Sequence, residues 1–382
     1  MESGDDKRWF TLSRQPQEPP SPDGTTLGGE DLSAWRDRFL PFTRFVARRE
    51  TVLALSGGGM AMPAHISMLR VLELLDVAPS AIYGTSAGAV IGGLRASGMP
   101  PCAIEQAMLD IRSANVLFGF AARYPALRLA ALAIRRQFQK SSIDDLGIYN
   151  IDRIEGHVAD ILKHHVGDVP TMSELEIPFH CVGLDIGTGD APPGSGLLVR
   201  KQVFSAERTP DVRVSDAIGA SMSIPGVITP KKIGDSHYMD GAVAEHLPIL
   251  SAYNDWRGRR RRFRRNRLAI IASDLGYTGE TMPRADLTDP VDLVIYSRRI
   301  QERIINHYNL LTCHRPRRGS SVVLVRPRRV KVQLYELEKM RPCLHSAYLA
   351  VVRQLSGGDY LSETERAVEQ ASKFLGVPGL PA

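Results

Sequence analysis

The chain has little of what marks a secreted, membrane-spanning or metal-binding protein. Its 382 residues include four cysteines, Cys102, Cys181, Cys313 and Cys343, and no two form a C-x-x-C pair. Spacing this wide argues against a disulfide framework or a zinc site and favours reduced, mostly buried thiols. Uninterrupted apolar runs are short. Leu129 to Ile134 covers six residues, where a membrane span needs roughly 18. The first residues, Met-Glu-Ser-Gly-Asp-Asp-Lys-Arg, have no apolar core of a secretory signal. Ten histidines are scattered along the chain, none in a diagnostic motif. The expectation is a cytoplasmic protein, free or held at a membrane surface, without a metal or organic cofactor.

What is present suits a globular protein with a sizeable core: 43% hydrophobic and 24% charged residues. The net charge of +6 is a local feature, because Arg257 to Arg267 holds eight arginines, without which it would be −2. This run carries the candidate membrane contacts Arg259, Arg260, Arg261, Arg262, Arg264 and Arg265, which suit an anionic lipid surface. The alternative is a solvated loop. Nucleic acid is not expected as a partner, since Phe263 is the run's one aromatic for stacking.

Residues 1–48 are rich in Pro, Gly, Ser and charge and read as a disordered polar tail, with a short helix near 31–39 as an option. Strand and helix patterns alternate from Thr51: strand 51–55, helix 64–75, strand 81–83, helix 87–96. That order implies a parallel sheet with helices on its faces. Leu127, Ala130, Ala131, Ile134 and Phe138 share one helical face, with Arg128, Arg135 and Arg136 off it. This segment reads as a core-packing helix or as a lid that meets lipid. Strand 178–185 pairs back with 197–204, Ser215 caps a helix, and 268–273 and 320–325 are buried strands. Ser362-Glu-Thr-Glu365 has the form of a capping box. Residues 49–280 form the expected catalytic domain and 281–382 an extension packed on it.

Two stretches carry the chemistry. Leu53-Ala-Leu-Ser-Gly57-Gly58-Gly59 is a strand entering a glycine turn. Ile82-Tyr-Gly84-Thr85-Ser86-Ala87-Gly88 places a Gly-x-Ser-x-Gly element between strand and helix. There a sharp turn can present the Ser86 hydroxyl as a nucleophile, and flanking glycines remove clashing Cβ atoms. The glycine turn can aim backbone N–H groups at an oxyanion. A Gly-rich nucleotide loop is disfavoured, because Met62 stands where the last glycine of G-x-G-x-x-G would fall.

Ser56-Gly-Gly-Gly-Met60, Gly84-Thr-Ser-Ala-Gly88, Ala220-Ser-Met-Ser-Ile-Pro225 and Met239-Asp240-Gly241-Ala242 occur in this order. With them the chain resembles the patatin-like phospholipases, serine lipid acyl hydrolases with a Ser–Asp dyad. The resemblance covers roughly residues 50 to 275. It implies a three-layer α/β/α fold around a mostly parallel sheet. Ser86 would be the nucleophile and Asp240 the general base. Gly57, Gly58, Gly59 and Met60 would form the oxyanion hole, and Gly84, Gly88 and Gly241 would support the motifs. The substrate would be a phospholipid or acylglycerol.

Two departures stand out. The family loop usually continues Gly-Gly-Gly-x-Arg/Lys-Gly, and here Ala61 replaces the basic residue and Met62 the glycine. After Asp240 the chain reads Glu245-His246-Leu247-Pro248, where the family more often has Asn before Pro. The alternatives are a Ser-His-Asp esterase using His237 or His246, and a weakly active or non-catalytic membrane-binding or scaffolding protein on the same fold.

Overall fold

Aliphatic runs bounded by glycine, proline or charge become strands, and the amphipathic stretches between them become covering helices. The computed structural model describes residues 32–111, 147–187, 199–260, 267–276, 290–327 and 337–376. In order these form α1 (Leu32–Asp37), α2 (Leu40–Val46), β1 (Glu50–Leu55), α3 (Pro63–Leu74), β2 (Ala81–Thr85), α4 (Ala87–Ala96), α5 (Pro101–Leu109), α6 (Ile151–Val166) and β3 (Phe179–Asp185). Then come β4 (Arg200–Phe204), α7 (Val214–Met222), β5 (Lys231–Ile233), β6 (Ser236–Asp240), α8 (Ala242–Glu245), α9 (Ile249–Arg260), β7 (Leu268–Ser273) and α10 (Pro290–Cys313). The last elements are β8 (Ser320–Val325), α11 (Met340–Leu355) and α12 (Ser362–Leu375).

The strands make one mixed sheet. β8, β7, β1, β2 and β3 lie side by side and parallel. β4 runs antiparallel along β3 over Cys181–Asp185, and β6, extended by β5, pairs antiparallel with Gly183–Asp185. Since β4 occupies one edge of β3 there, β6 must take the edge that β2 follows up to Val182. The register sets Thr85 opposite Val182 and Asp240 opposite Gly183. The C-terminal ends of β2 and β6 therefore meet head-on.

Side chains alternate across β1: Leu53 and Leu55 enter one apolar cluster, Val52 and Ala54 another. Helices α3 to α7 and α11 cover the first face, and α9, α10 and α12 contribute to the second. This is the expected three-layer arrangement.

Several expectations change. The polar tail does not extend to residue 48. Trp35, Phe39, Phe42 and Val46 recur every three or four residues along α1 and α2, and all are buried. The Pro- and Gly-rich composition around them concealed this stripe. The segment after 281 is more than an extension, because β8 completes the sheet beside β7. Ser215 lies inside α7 rather than capping it, and Arg213 stands at the cap position without a side-chain bond. Ser362 is likewise the first residue of α12, and the preceding Leu361 offers no capping side chain. The candidate lid 127–138 lies outside the described residues. Three thiols are buried and Cys102 is half-buried, and none of the four forms a disulfide among the described residues.

Trp35, whose ring is tilted against that of Phe39 with centroids 4.5 Å apart, tests the N-terminal helices. Trp35→Ala is expected to cost about 3–5 kcal/mol and lower the urea midpoint. An unchanged midpoint would contradict the packing.

Candidate active site

The end-on meeting of β2 and β6 brings Ser86 and Asp240 together. β2 stops at Thr85, α4 starts at Ala87, and Ser86 between them has φ 52° and ψ −118°. A positive φ is costly for a residue with a Cβ and persists only where surroundings enforce it. Here they do: the Ser86 N–H donates to Ser221 Oγ at 2.8 Å, and Ser221 donates to Val182 O at 2.6 Å. The Gly88 N–H donates to Ser56 O at 3.0 Å. Gly88 has to be glycine, since a Cβ there would lie 2.2 Å from Leu55 O. At Gly241 a Cβ would lie 2.1 Å from Val182 O. Gly84 makes a similar close approach to α4.

The Ser86 hydroxyl donates to Asp240 Oδ2 at 2.8 Å. Asp240 Oδ1 accepts the Ala242 N–H at 2.7 Å, and the Asp240 N–H donates to Ser223 O at 2.9 Å. Both side chains are buried, Ser86 at 5% and Asp240 at 1% exposure. Burial raises the Asp240 pKa. The Arg298 charge, the Ala242 N–H and the Ser86 hydroxyl oppose that rise, and Glu302 adds to it. Arg298 and Glu302, both on α10, are missed by the sequence reading. Their one signal was an i,i+4 pair in a polar helix, which reads as a solvated face.

The small-residue segment before Pro225 has a clear role. Ser221 holds the Ser86 backbone and Ser223 holds that of Asp240, so the last turn of α7 and the residue that caps it clamp both partners. The Ser86 hydroxyl donates to Asp240 rather than to either histidine considered as a base. His246 Nδ1 faces Asn306 Nδ2 at 3.5 Å. His237 is three residues before Asp240 on β6, and its side chain projects to the opposite face.

The glycine turn follows β1, beside Ser86. Of its four expected donors, Gly57 is committed, because its N–H donates to His246 O at 3.0 Å. The expected hole thus loses one donor, with Gly58, Gly59 and Met60 left for the role. Met60, Ala61 and Met62 are buried in the core, with the turn packed beneath α11. An arginine at 61 would place its charge in this apolar layer, which accounts physically for the Met-Ala-Met sequence.

A buried histidine fastens the loop. One His65 ring nitrogen, Nε2, meets Ser56 O at 2.9 Å and the other, Nδ1, meets Ser273 Oγ at 2.9 Å. Nε2–H then donates to the carbonyl, and Nδ1 accepts from the serine. Ser56 Oγ donates to Gly57 O at 2.8 Å and accepts the Leu275 N–H at 2.8 Å. Ser56 O thereby ties His65 to Gly88, and so the loop to the Ser86 turn.

The described ends of the arginine run are not at this site. Arg259 pairs with Glu50 at 2.5 Å, and the Arg267 carbonyl accepts the Glu50 N–H at 2.8 Å. Glu50 begins β1 and Gly57 follows its end, so the described ends of the run stand at the opposite end of the sheet from Ser86. Arg261, Arg262, Arg264 and Arg265 lie outside the described residues, as does the side chain of Arg260. Among the described residues, no cluster of three His, Cys, Asp or Glu side chains is arranged to hold a metal. No helix among them is long and apolar enough to cross a membrane.

The patatin-like phospholipase model matches residues 53–253. The stretch contains β1, the Ser86 turn, α7 and Asp240, and the chain belongs to this family. Membership supports a lipid hydrolase in general. An uncharacterised NTE family protein of Mycobacterium tuberculosis is 32% identical over 197 residues, which are 52% of this chain and 44% of that one. The uncharacterised protein YqhO of Bacillus subtilis is 27% identical over 199 residues, 51% of this chain and 64% of its own. The matched part is thus less than half of the first relative. Among solved structures, VipD from Legionella pneumophila shares 12% identity at a TM-score of 0.37, over 81% of this chain and 66% of that one. The type III effector ExoU shares 15% at 0.33, over 83% and 53%. At such scores the fold description stands on the sheet order above.

Full burial holds His65 neutral, with its pKa lowered from 6.5 to about 4. The unfolded chain therefore binds this proton first as the pH falls. His65's contribution is complete above about pH 6.5, declines below it, and is lost below about pH 4. His65→Asn is expected to remove a pH-dependent term of about 3 kcal/mol. Urea unfolding at pH 7.5 and pH 5 will then show a smaller loss in the variant than in the wild type. Equal losses would contradict the assignment.

Proposed function

We propose that the protein is a serine hydrolase that cleaves carboxylic esters of phospholipids or neutral acylglycerols through an acyl-Ser86 intermediate. The observation that carries this reading is the 2.8 Å hydrogen bond from the Ser86 hydroxyl to Asp240, within the segment matched by the family. As Ser86 Oγ attacks the ester carbonyl, Asp240 Oδ2 accepts its proton and the carbonyl oxygen becomes an oxyanion. Backbone N–H groups of Gly58, Gly59 and Met60 are the donors assigned to it. Collapse expels the alcohol, which takes the proton. Water then attacks the acyl ester with Asp240 again as base, releasing the fatty acid.

A carboxylate is a weak base toward a serine hydroxyl, so alignment and oxyanion stabilisation carry much of the barrier lowering. The clamp through Ser221 and Ser223 fits that need. Val243 on α8 and Ile300 on α10 are exposed apolar side chains on two helices in contact beside Asp240. They suit an acyl chain or the surface of a lipid aggregate. Arg259, which pairs with Glu50 at the start of β1, lies at the other end of the sheet from these two side chains.

A weakened or non-catalytic form of the site is the second reading, and it has one observation behind it: Gly57's donor is already taken. Ser86→Ala and Asp240→Asn are each expected to lower hydrolysis of a short-chain nitrophenyl ester by roughly a thousandfold or more, with unfolding midpoints near wild type. Activity retained in Asp240→Asn would remove the dyad. If wild-type Ser86 fails to react with a fluorophosphonate while the protein still binds vesicles, the non-catalytic form is favoured.

A further inference from the structure

The family match ends at residue 253, yet α10, beyond it, closes over the site. Helix α8, into which Asp240 and Gly241 lead, packs against α10. Further along α10, Asn306 Nδ2 faces His246 Nδ1 at 3.5 Å. The His246 ring lies 3.2 Å from where a Cβ on Gly57 would stand. One helix thus reaches both halves of the site, the Asp240 side through α8 and the glycine turn through His246. Arg298, Glu302 and Asn306 follow each other at i,i+4 spacing and form one stripe along it. Arg298 Nε donates to Glu302 Oε1 at 3.0 Å, and the two side chains are 35% and 19% exposed.

We propose that Arg298 is a positioning residue for the Ser86–Asp240 pair. It supplies from α10 the positive charge that Met60-Ala61-Met62 lack, and Glu302 is the counter-charge that limits it. The inference rests on Asp240 acting as the base. Four elements present groups to the Asp240 carboxyl. These are Ser86 from the β2–α4 turn, the Ala242 N–H from α8, the Cys181 thiol from β3, and Arg298 and Glu302 from α10. Burial pushes Cys181 up to about 12, so it stays neutral. Burial also favours the neutral form of Asp240. Arg298 is the largest influence against that, and Glu302 works the other way. The base must be ionised, so the rate falls as the pH drops through the Asp240 pKa. Loss of Arg298 raises that pKa and moves the acid limb up; loss of the Glu302 charge moves it down.

The test uses the full chain and two readouts: the rate of Ser86 labelling by a fluorophosphonate, and hydrolysis of an uncharged short-chain nitrophenyl ester, each against pH. Arg298→Gln is expected to move the acid limb upward by roughly half a unit to one unit. Glu302→Gln should move it downward, and Arg298→Lys should restore most of the wild-type profile. An acid limb unmoved in both glutamine variants overturns the proposal, as do shifts in the same direction. A rate lowered equally at every pH also overturns it, since that marks a structural role. Should Arg298→Gln prove unfolded by circular dichroism, Arg298→Lys and Glu302→Gln carry the same test. Wild-type protein that does not label at Ser86 removes both this proposal and the dyad. Labelling with an unmoved limb removes this proposal alone.

Discussion

The hydrogen bond between Ser86 and Asp240 depends on a single piece of register on β3. Val182 pairs with Thr85 and Gly183 with Asp240, so two strands arriving from opposite directions end against each other. Neither residue could be moved along its strand without losing the contact. A one-residue slip of β6 would turn the carboxyl to the other face of the sheet. Gly88 and Gly241 follow from the same constraint, because both allow backbone to lie against backbone on either side of the junction. Ser221, in the last turn of α7, and Ser223, its cap, pin the two chains, and the positive φ of Ser86 is held by the bond to Ser221.

Around the junction the two halves of the site are built differently. The Ser86–Asp240 half is braced by short hydrogen bonds from several elements. The glycine turn is braced through His65, Ser56 and Ser273, with its Met-Ala-Met continuation sunk beneath α11. The sheet's fifth parallel strand and the helices over the turn come from the C-terminal third of the chain. That segment fills space in which a basic loop residue would have to be buried. It also carries Arg298 and Glu302 on α10, which packs against the α8 that follows Asp240.

Much of this was legible in the residues. Runs such as Leu268 to Ser273 and Ser320 to Val325 are aliphatic apart from serines at one end and became strands with those bounds. The alternation from Thr51 to Ala96 implied the parallel sheet, and the order of the four motifs placed Ser86 and Asp240 in one family. What escaped were features set by tertiary contact. The stripe of Trp35, Phe39, Phe42 and Val46 was hidden by the proline-rich residues before it. Gly57 looked like an oxyanion donor until the chain brought the His246 carbonyl to it. The arginines after Arg257 looked suited to an anionic lipid surface, and the direction of β1 and β7 sets the described ends of that run at the far end of the sheet from Ser86. Arg298 lies on α10, outside every motif that carried the family resemblance.

The central claim is that Ser86 carries the acyl group during turnover of a lipid ester. The most direct measurement is peptide mass mapping of protein quenched in acid during hydrolysis of phospholipid vesicles. A fatty-acyl mass on the peptide containing Ser86, absent from Ser86→Ala, is the predicted result. Release of fatty acid with the acyl group on another residue, or undiminished release by Ser86→Ala, would contradict the account.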